Sequence, residues 1–276
     1  MSYKTILVHI DSDKRCTKRT EVAIQLAKQY DACLVGLHAY FPYTPPGYIM
    51  AHMGAEVIAA QHKAAIEVMT ETEKTFRKQA SAAGLENTEW HTAHDDPVSA
   101  MSLQARYADL LVIGQSDATD DSGVDKDFPE RLILLSGRPV LVLPEIGDFA
   151  CVGKRIIVAW NASREAARAI TNAIPFFKLA DQVYIVTIPP KTDEKDKIPT
   201  EQIVQYLSRH GVQAEVDENR GVEIDVGNEL LSRAAALSAD LLVMGCYGHS
   251  RVREWVLGGA TRTILETMTI PVLMSH

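Results

Sequence analysis

Residues 239–247 read ADLLVMGCY, and residues 108–116 read ADLLVIGQS. In each passage a short aliphatic run is followed by a glycine. This pattern is typical of a buried strand that ends in a turn. Matching apolar runs flank the two passages in the same order: YKTILVHID (3–11) and GRPVLVLP (137–144) around the first, GKRIIVAWN (153–161) and TIPVLMSH (269–276) around the second. The same three apolar segments thus occur twice in the same order, which indicates an internal duplication.

The duplication predicts two tandem domains, residues 1–147 and 148–276, which meet near PEIGDFACVGKR (144–155). Between the landmarks, short β-branched runs alternate with helical stripes, including a long helix that we expect to end near Gly84. Alternating strands and helices favour a parallel sheet with helices on both faces. We therefore expect an α/β fold with two doubly wound domains, each a five-stranded parallel sheet flanked by helices.

Each half ends on a fifth apolar run, PVLVL at 139–143 and PVLM at 271–274. A terminal strand leaves an unpaired sheet edge, which folded proteins usually cover. We expect these two strands to pair, so that the halves form a pseudo-dimer. A second chain would then join the first to make a homodimer.

The composition of the chain argues against several classes of binding partner and binding site. The 276 residues carry a formal net charge of -8, which disfavours a nucleic-acid surface. Four cysteines lack the paired spacing of a zinc site or a disulfide framework: Cys16, Cys33, Cys151 and Cys246. The first apolar run is too short for a signal peptide, and no run is long enough to span a bilayer. We expect a cytoplasmic protein without a metal site, a nucleic-acid partner or a membrane partner.

Four of the 16 glycines fall within MGCYGHSRVREWVLGGATRT, residues 244–263. Gly245 ends the predicted fourth strand of the second half, where ligands of open parallel sheets bind. Gly245 and Gly248 would let backbone N–H groups approach an anion. The Gly258–Gly259 pair precedes a predicted helix whose first N–H groups are unpaired. The stretch predicts a phosphate site, to which the Thr261 hydroxyl would contribute.

The spacing Gly245-x2-Gly248-x9-Gly258 resembles the ATP-binding signature of the universal stress protein family, and the strand ends HIDSD and AWNASRE also resemble that family. The resemblance covers nearly the whole chain, as two tandem domains of adenine-nucleotide α-hydrolase type. It implies that Asn161 meets the nucleoside and Ile188 lines the adenine slot. The full set of implied nucleotide contacts is Ala159, Trp160, Asn161, Ile188, Met244, Gly245, Gly248, His249, Gly258, Gly259, Ala260 and Thr261.

Two positions depart from the family pattern. The family usually has Asp where Asn161 stands, and Ser or Thr where Gly259 stands. Asn161 keeps an acceptor and loses a charge, whereas Gly259 keeps a backbone donor and loses a hydroxyl. One hydrogen bond to a charged group contributes roughly 1.5–3 kcal/mol, so these changes lower the expected affinity without abolishing it.

The first half lacks most of the signature. Gly114 matches Gly245, but Asp117 stands where Gly248 does. Lys126, Asp127, Phe128 and Pro129 stand where the second half has residues 258–261. Five carboxylates would surround the first-half site: Asp117, Asp120, Asp121, Asp125 and Asp127. We therefore expect only the second half to bind nucleotide, with one nucleotide per chain.

The sequence thus predicts an ATP-binding, universal stress-type protein that binds ATP or ADP, with Mg²⁺, for stress response or signalling rather than turnover. Two alternatives stay open, a ligand-free scaffold for protein partners and a weak ATPase or adenylating enzyme. The sequence pattern brings together no Ser-His-Asp or Cys-His catalytic set. Slow hydrolysis of ATP by a bound water and Mg²⁺ stays open. Trp160 serves in packing or in base stacking, and Cys246 is a small filler or a redox-sensitive thiol.

Overall fold

The computed structural model describes residues 2–40, 55–116, 125–187, 200–218, 225–248 and 259–276. The first-half strands are β1 (Thr5–Ile10), β2 (Cys33–Ala39), β3 (Thr88–Ala93), β4 (Leu110–Gly114) and β5 (Val140–Leu143). The second-half strands are β6 (Arg155–Ala159), β7 (Gln182–Thr187), β8 (Glu215–Glu218), β9 (Leu241–Gly245) and β10 (Val272–Ser275). Every predicted strand is confirmed.

The first-half helices are α1 (Cys16–Tyr30), α2 (Ala55–Ala82), α3 (Pro97–Gln104) and α4 (Phe128–Ser136), and a 3-10 turn (Ala105–Tyr107) follows α3. The second-half helices are α5 (Arg164–Phe177), α6 (Glu201–Arg209), α7 (Val226–Ala236) and α8 (Gly259–Thr267). The long helix α2 ends as expected just before Gly84, whose φ of +69° is readily adopted by glycine.

The described strands form one sheet in the order β3-β2-β1-β4-β5-β10-β9-β6-β7-β8. Within each half all neighbours are parallel, and strand order reverses between β1 and β4 and between β6 and β9. Alternate residues of β1 face opposite sides of the sheet. Ile6 and Val8 pack with α1, and Leu7 packs with α3 and α4. Two buried layers therefore cover the sheet, as the near-continuous apolar strands predict.

The halves join through β5 and β10, which pair antiparallel with Leu273 opposite Leu141. This confirms the predicted pairing of the fifth strands. Two side chains add contacts across the joint. Gln115 Nε2 donates to Leu265 O at 2.8 Å, and Tyr3 Oη donates to Asn172 O at 2.6 Å. None of the described helices has the length and apolar character needed to cross a membrane.

A truncation at the joint tests whether the ten strands act as one folding unit. Leu273 is fully buried, so Leu273→Ala should lower the free energy of unfolding by about 2–5 kcal/mol. The matched control Ile146→Ala removes an apolar side chain that is 76% exposed, and it should change stability by no more than about 0.5 kcal/mol. Urea unfolding followed by tryptophan fluorescence should show one transition. Two transitions, with only one shifted, would contradict a single unit.

Candidate functional site

The loop after β6 begins the candidate site. Trp160 N donates to Val186 O at 2.9 Å, which holds the loop against β7. Asn161 Oδ1 accepts from Ser163 N at 3.1 Å, and Ala162 between them has a φ of +58°. Ser163 Oγ then accepts from Ala166 N at 3.1 Å and caps α5. The exposed Asn161 therefore places its acceptor oxygen within a tight turn, and the half-buried Trp160 packs against the core.

Gly245, the last residue of β9, makes room for the first turn of α5. A Cβ built at Gly245 would lie 2.3 Å from Ala166 N and 2.4 Å from the carbonyl carbon of Glu165. Real Cβ atoms do not approach backbone atoms so closely. The glycine is therefore required for helix packing over the sheet, besides any approach that it offers to an anion.

Gly248 lies under a carboxylate. A Cβ at Gly248 would stand 2.7 Å from Glu165 Oε2. Glu165 is only 6% exposed, and its Oε2 has no hydrogen-bond partner in the described part of the chain. Oε1 accepts from the exposed Arg164 guanidinium at 3.3 Å. The left-handed backbone of this turn falls at Tyr247, with a φ of +60°, and not at the glycine beside it. Glu165 thus brings negative charge to the predicted phosphate path.

Helix α8 begins at Gly259, beside the same turn. Among the described residues, a Cβ at Gly259 would meet only Asp225 Oδ1, at 3.9 Å, which is an ordinary contact distance. Two residues on, Thr261 is 3% exposed and its side chain hydrogen-bonds the Cys246 thiol. Burial raises the pKa of that thiol to about 12, so Cys246 is protonated at neutral pH and serves as a packed filler rather than a reactive thiolate.

The structure gathers most of the implied contacts at the carboxyl ends of β6 and β9, where strand order reverses. Ala159 ends β6, and Met244 is a buried residue of β9. Ala260 lies in the first turn of α8, directly after Gly259 at the helix start. Three implied contacts lie outside the described residues: Ile188, His249 and Gly258.

The equivalent space in the first half is filled by a buried ion pair. Arg19 is 3% exposed and donates from Nη2 to Asp11 Oδ1 at 2.7 Å and from Nε to His9 O at 2.8 Å. A Cβ at Gly114 would lie 2.7 Å from Arg19 Nη1. Burial by itself would raise the pKa of Asp11 and lower the pKa of Arg19. The pair nevertheless holds the pKa of Asp11 well below its usual range and raises the pKa of Arg19.

Two of the five carboxylates expected around the first-half site, Asp125 and Asp127, lie among the described residues. Asp125 and Asp127 both pair with Arg131, at 3.5 and 3.8 Å, so their charge is partly compensated. Asp117, Asp120 and Asp121 lie outside the described residues. At the start of α4, Phe128 is buried, and its ring centroid lies 4.8 Å from that of His9.

Sequence reasoning missed Ser163, Glu165 and Arg19. Ser163 followed two residues later by Glu165 at a helix start could have indicated a capped, acidic first turn. No comparable signal marks Arg19, because its role depends on Gly114, which lies far from it in the chain. Among the described residues, no group of three or more His, Cys, Asp or Glu side chains is arranged to hold a metal ion.

Together the fold and the site define a class of α/β protein with a glycine-containing turn at the point where the order of parallel strands reverses. The universal stress protein family model matches residues 2–144 and again residues 153–276. The chain belongs to the universal stress protein family and carries two tandem copies of its domain.

Individual proteins of known sequence or structure are similar to half or nearly all of the chain. Universal stress protein Slr1230 of Synechocystis is 30% identical over 152 residues, 52% of this chain and 49% of that protein, so the match spans about half of the curated relative. A universal stress protein from Archaeoglobus fulgidus shares the fold, with a TM-score of 0.72 at 17% identity over 98% of this chain and 97% of that one. A universal stress protein in complex with cAMP aligns with 51% of this chain and 97% of its own, at 24% identity and a TM-score of 0.37.

Two glycine substitutions, compared without nucleotide, test whether Gly245 is needed for packing. Gly245→Ala should lower the free energy of unfolding by at least about 1–3 kcal/mol, because the new Cβ meets the backbone of α5. Gly259→Ala is the matched control and should change it by at most about 0.5 kcal/mol, because no described atom lies closer than 3.9 Å to the new Cβ. Urea unfolding of the two variants without nucleotide measures both effects. Equal stability of the two would contradict the packing role of Gly245.

Proposed function

We propose that the second half binds an adenine nucleotide, ATP or ADP, and that occupancy changes the protein's stability or its affinity for a protein partner in a stress response. The observation that carries this proposal is the start of α8 at Gly259, beside the Gly245–Gly248 turn, which among the described residues only Asp225 Oδ1 approaches. A helix start offers unpaired N–H groups and the positive end of the helix dipole to a phosphate.

The proposal assigns different roles to the two halves, divided near residue 147. In the first half, the Arg19–Asp11 pair covers Gly114, and Phe128 and Pro129 occupy the start of α4. Pro129 also has no N–H to offer an anion. The first half therefore serves as a structural or partner-binding domain. The family resemblance extends the proposal to a homodimer in the cytoplasm.

Mg²⁺ fits the charge of the second-half site. The ion is usually held by one or two carboxylates together with substrate phosphates, and Glu165 presents one buried carboxylate oxygen without a partner among the described residues. When bound, Mg²⁺ would supply positive charge between this carboxylate and the phosphate tail. In its absence Glu165 opposes the phosphates, which favours the ligand-free scaffold as the second candidate function.

Calorimetric titration with ATP tests the binding proposal and its stoichiometry. The wild-type chain should bind close to one nucleotide, in the second half. Gly259→Ser returns a hydroxyl to the helix start and should tighten binding about tenfold or more, as one hydrogen bond to a charged group contributes roughly 1.5–3 kcal/mol. Gly259→Ala supplies the Cβ alone and should leave the affinity unchanged. Two nucleotides per chain would contradict the asymmetry, and no binding at millimolar ATP would favour the scaffold.

Neutralising Glu165 tests the electrostatics of the same site. A charge about 5 Å from a phosphate costs roughly 3 kcal/mol at an effective dielectric constant of about 20. Glu165→Gln should therefore increase the affinity for metal-free ATP at least tenfold. Mg²⁺ should raise the ATP affinity of the variant less than that of the wild type. Adenosine, which has no phosphate, should bind both proteins equally. If the substitution alters adenosine and ATP affinity alike, Glu165 contacts the nucleoside instead.

A further inference from the structure

Exposed apolar side chains lie on the outer side of α3 and α4 in the first half. Leu103 on α3 is 51% exposed, Tyr107 in the 3-10 turn that follows is 77% exposed, and Leu135 on α4 is 62% exposed. Isolated apolar residues are ordinary on a protein surface, but a contiguous group indicates an interaction surface. We call these three residues, together with the charged residues at both ends of the two helices, the α3–α4 face.

Two contacts between the helices show that these residues share one surface. Near the helix starts, Arg131 Nη2 of α4 lies 3.9 Å from Oδ2 of Asp96, the residue that caps α3. Near the helix ends, Arg138 Nη2 donates to Arg106 O at 3.1 Å. The two helices therefore run side by side in the same direction. Leu135, one turn after Arg131, lies on the side of α4 that faces α3.

Charge is distributed unevenly along the α3–α4 face. Four exposed or half-buried carboxylates lie at the helix starts: Asp95, Asp96, Asp125 and Asp127. Arg131 pairs with three of them, and the exposed Lys126 lies in the same segment, so two cations offset part of the negative charge. The opposite end carries the exposed Arg106 and Arg138, neither of which forms an ion pair with a described residue. The face is thus acidic at one end, apolar between the ends and basic at the other end.

The second half does not repeat this arrangement at the matching positions. The passage RYADLL (106–111) matches LSADLL (237–242), so that leucine and serine stand where the first half has arginine and tyrosine. The first leucine and the arginine of LSGRPVLVL (135–143) are matched by threonine and isoleucine in TMTIPVLMS (267–275). Because the second half forms the same strands and helices without these residues, the fold does not require them on the surface of the first half.

We propose that the α3–α4 face binds the same face of a second copy of the chain, with the helices of the two copies antiparallel. A twofold axis then brings the basic end of each copy to the acidic end of the other. Arg106 lies about 15 Å along the helix axis from Asp96. Leu103 and Leu135 lie between these ends, so the leucines of the two copies meet near the axis. Antiparallel helices also bring opposite ends of their dipoles together.

Two further observations favour a second copy as the occupant. The fifth strands, which end each half, already pair with each other inside the chain, so they cannot join two copies. The net charge of -8 disfavours an anionic membrane or a nucleic acid at the basic end. This interface rests on the homodimer included in the proposed function, and it does not depend on nucleotide binding. Because the apolar part of the face is small, the dimer should dissociate at about micromolar concentrations.

Sedimentation velocity of the full chain without nucleotide, over micromolar to submillimolar concentrations, tests the interface. The wild type should sediment as a dimer at the highest concentrations. Leu103→Glu, Leu135→Glu should weaken the dimer at least tenfold, because the two copies would bring four carboxylates together near the axis. The matched control Leu179→Glu, Val216→Glu adds the same charge at exposed apolar positions of the second half and should leave the dimer unchanged.

Charge reversal tests the antiparallel orientation. Arg106→Glu, Arg138→Glu should also weaken the dimer at least tenfold, since each acidic end would then face carboxylates. Adding Asp95→Lys, Asp127→Lys to the same chain reverses both ends and should restore the dimer. Failure to restore it in a chain that circular dichroism shows to be folded would overturn the antiparallel arrangement.

The outcomes separate the interface from the homodimer itself. A wild-type chain that is monomeric at every concentration would overturn both, whereas ATP binding is measured independently by calorimetry. A dimer that the leucine variant and its control weaken equally, or not at all, would overturn the interface alone. If the leucine variant does not fold, the arginine variant decides, because its two side chains are exposed.

Discussion

The antiparallel pairing of β5 with β10 is the contact on which the rest of the structure depends. It places Leu141 and Leu273 opposite each other and converts two five-stranded sheets into one of ten strands. Without it, each half would expose an edge of buried aliphatic residues. The outer edges are β3 and β8, and β8 is a short strand of sequence EVDE. Its carboxylates discourage further strand addition.

The direction of that pairing also separates the strand-reversal points of the two halves. Parallel strands within a half present their carboxyl ends at one edge of the sheet, and the antiparallel joint directs the two sets of ends to opposite edges. Each half therefore has its own point of strand reversal. Tyr3 and Phe176, which pack with a ring-centroid distance of 5.6 Å, tie the halves together on one face of the sheet.

The duplicated halves differ most in what covers the glycine at the end of the fourth strand. Arg19 lies over Gly114, whereas the backbone of α5 lies over Gly245. The first arrangement places the buried Arg19–Asp11 ion pair beside the strand end. The second places the Glu165 carboxylate beside the turn. One fold thus surrounds two equivalent glycines differently, with a compensated ion pair in the first half and a carboxylate oxygen without a described partner in the second.

The sequence by itself determined the duplication, the strands and helices, and the partner strands at the joint. Those features depend on local patterns, such as the aliphatic run of Leu241–Gly245 and the glycine that follows α2, and on their repetition along the chain. The tertiary structure alone decided what lies above each glycine. Arg19 over Gly114, Glu165 beside Gly248 and Arg131 between Asp125 and Asp127 are side-chain placements. Most of them join residues far apart in sequence, and their direction follows from how helices pack on the sheet, which local periodicity does not encode.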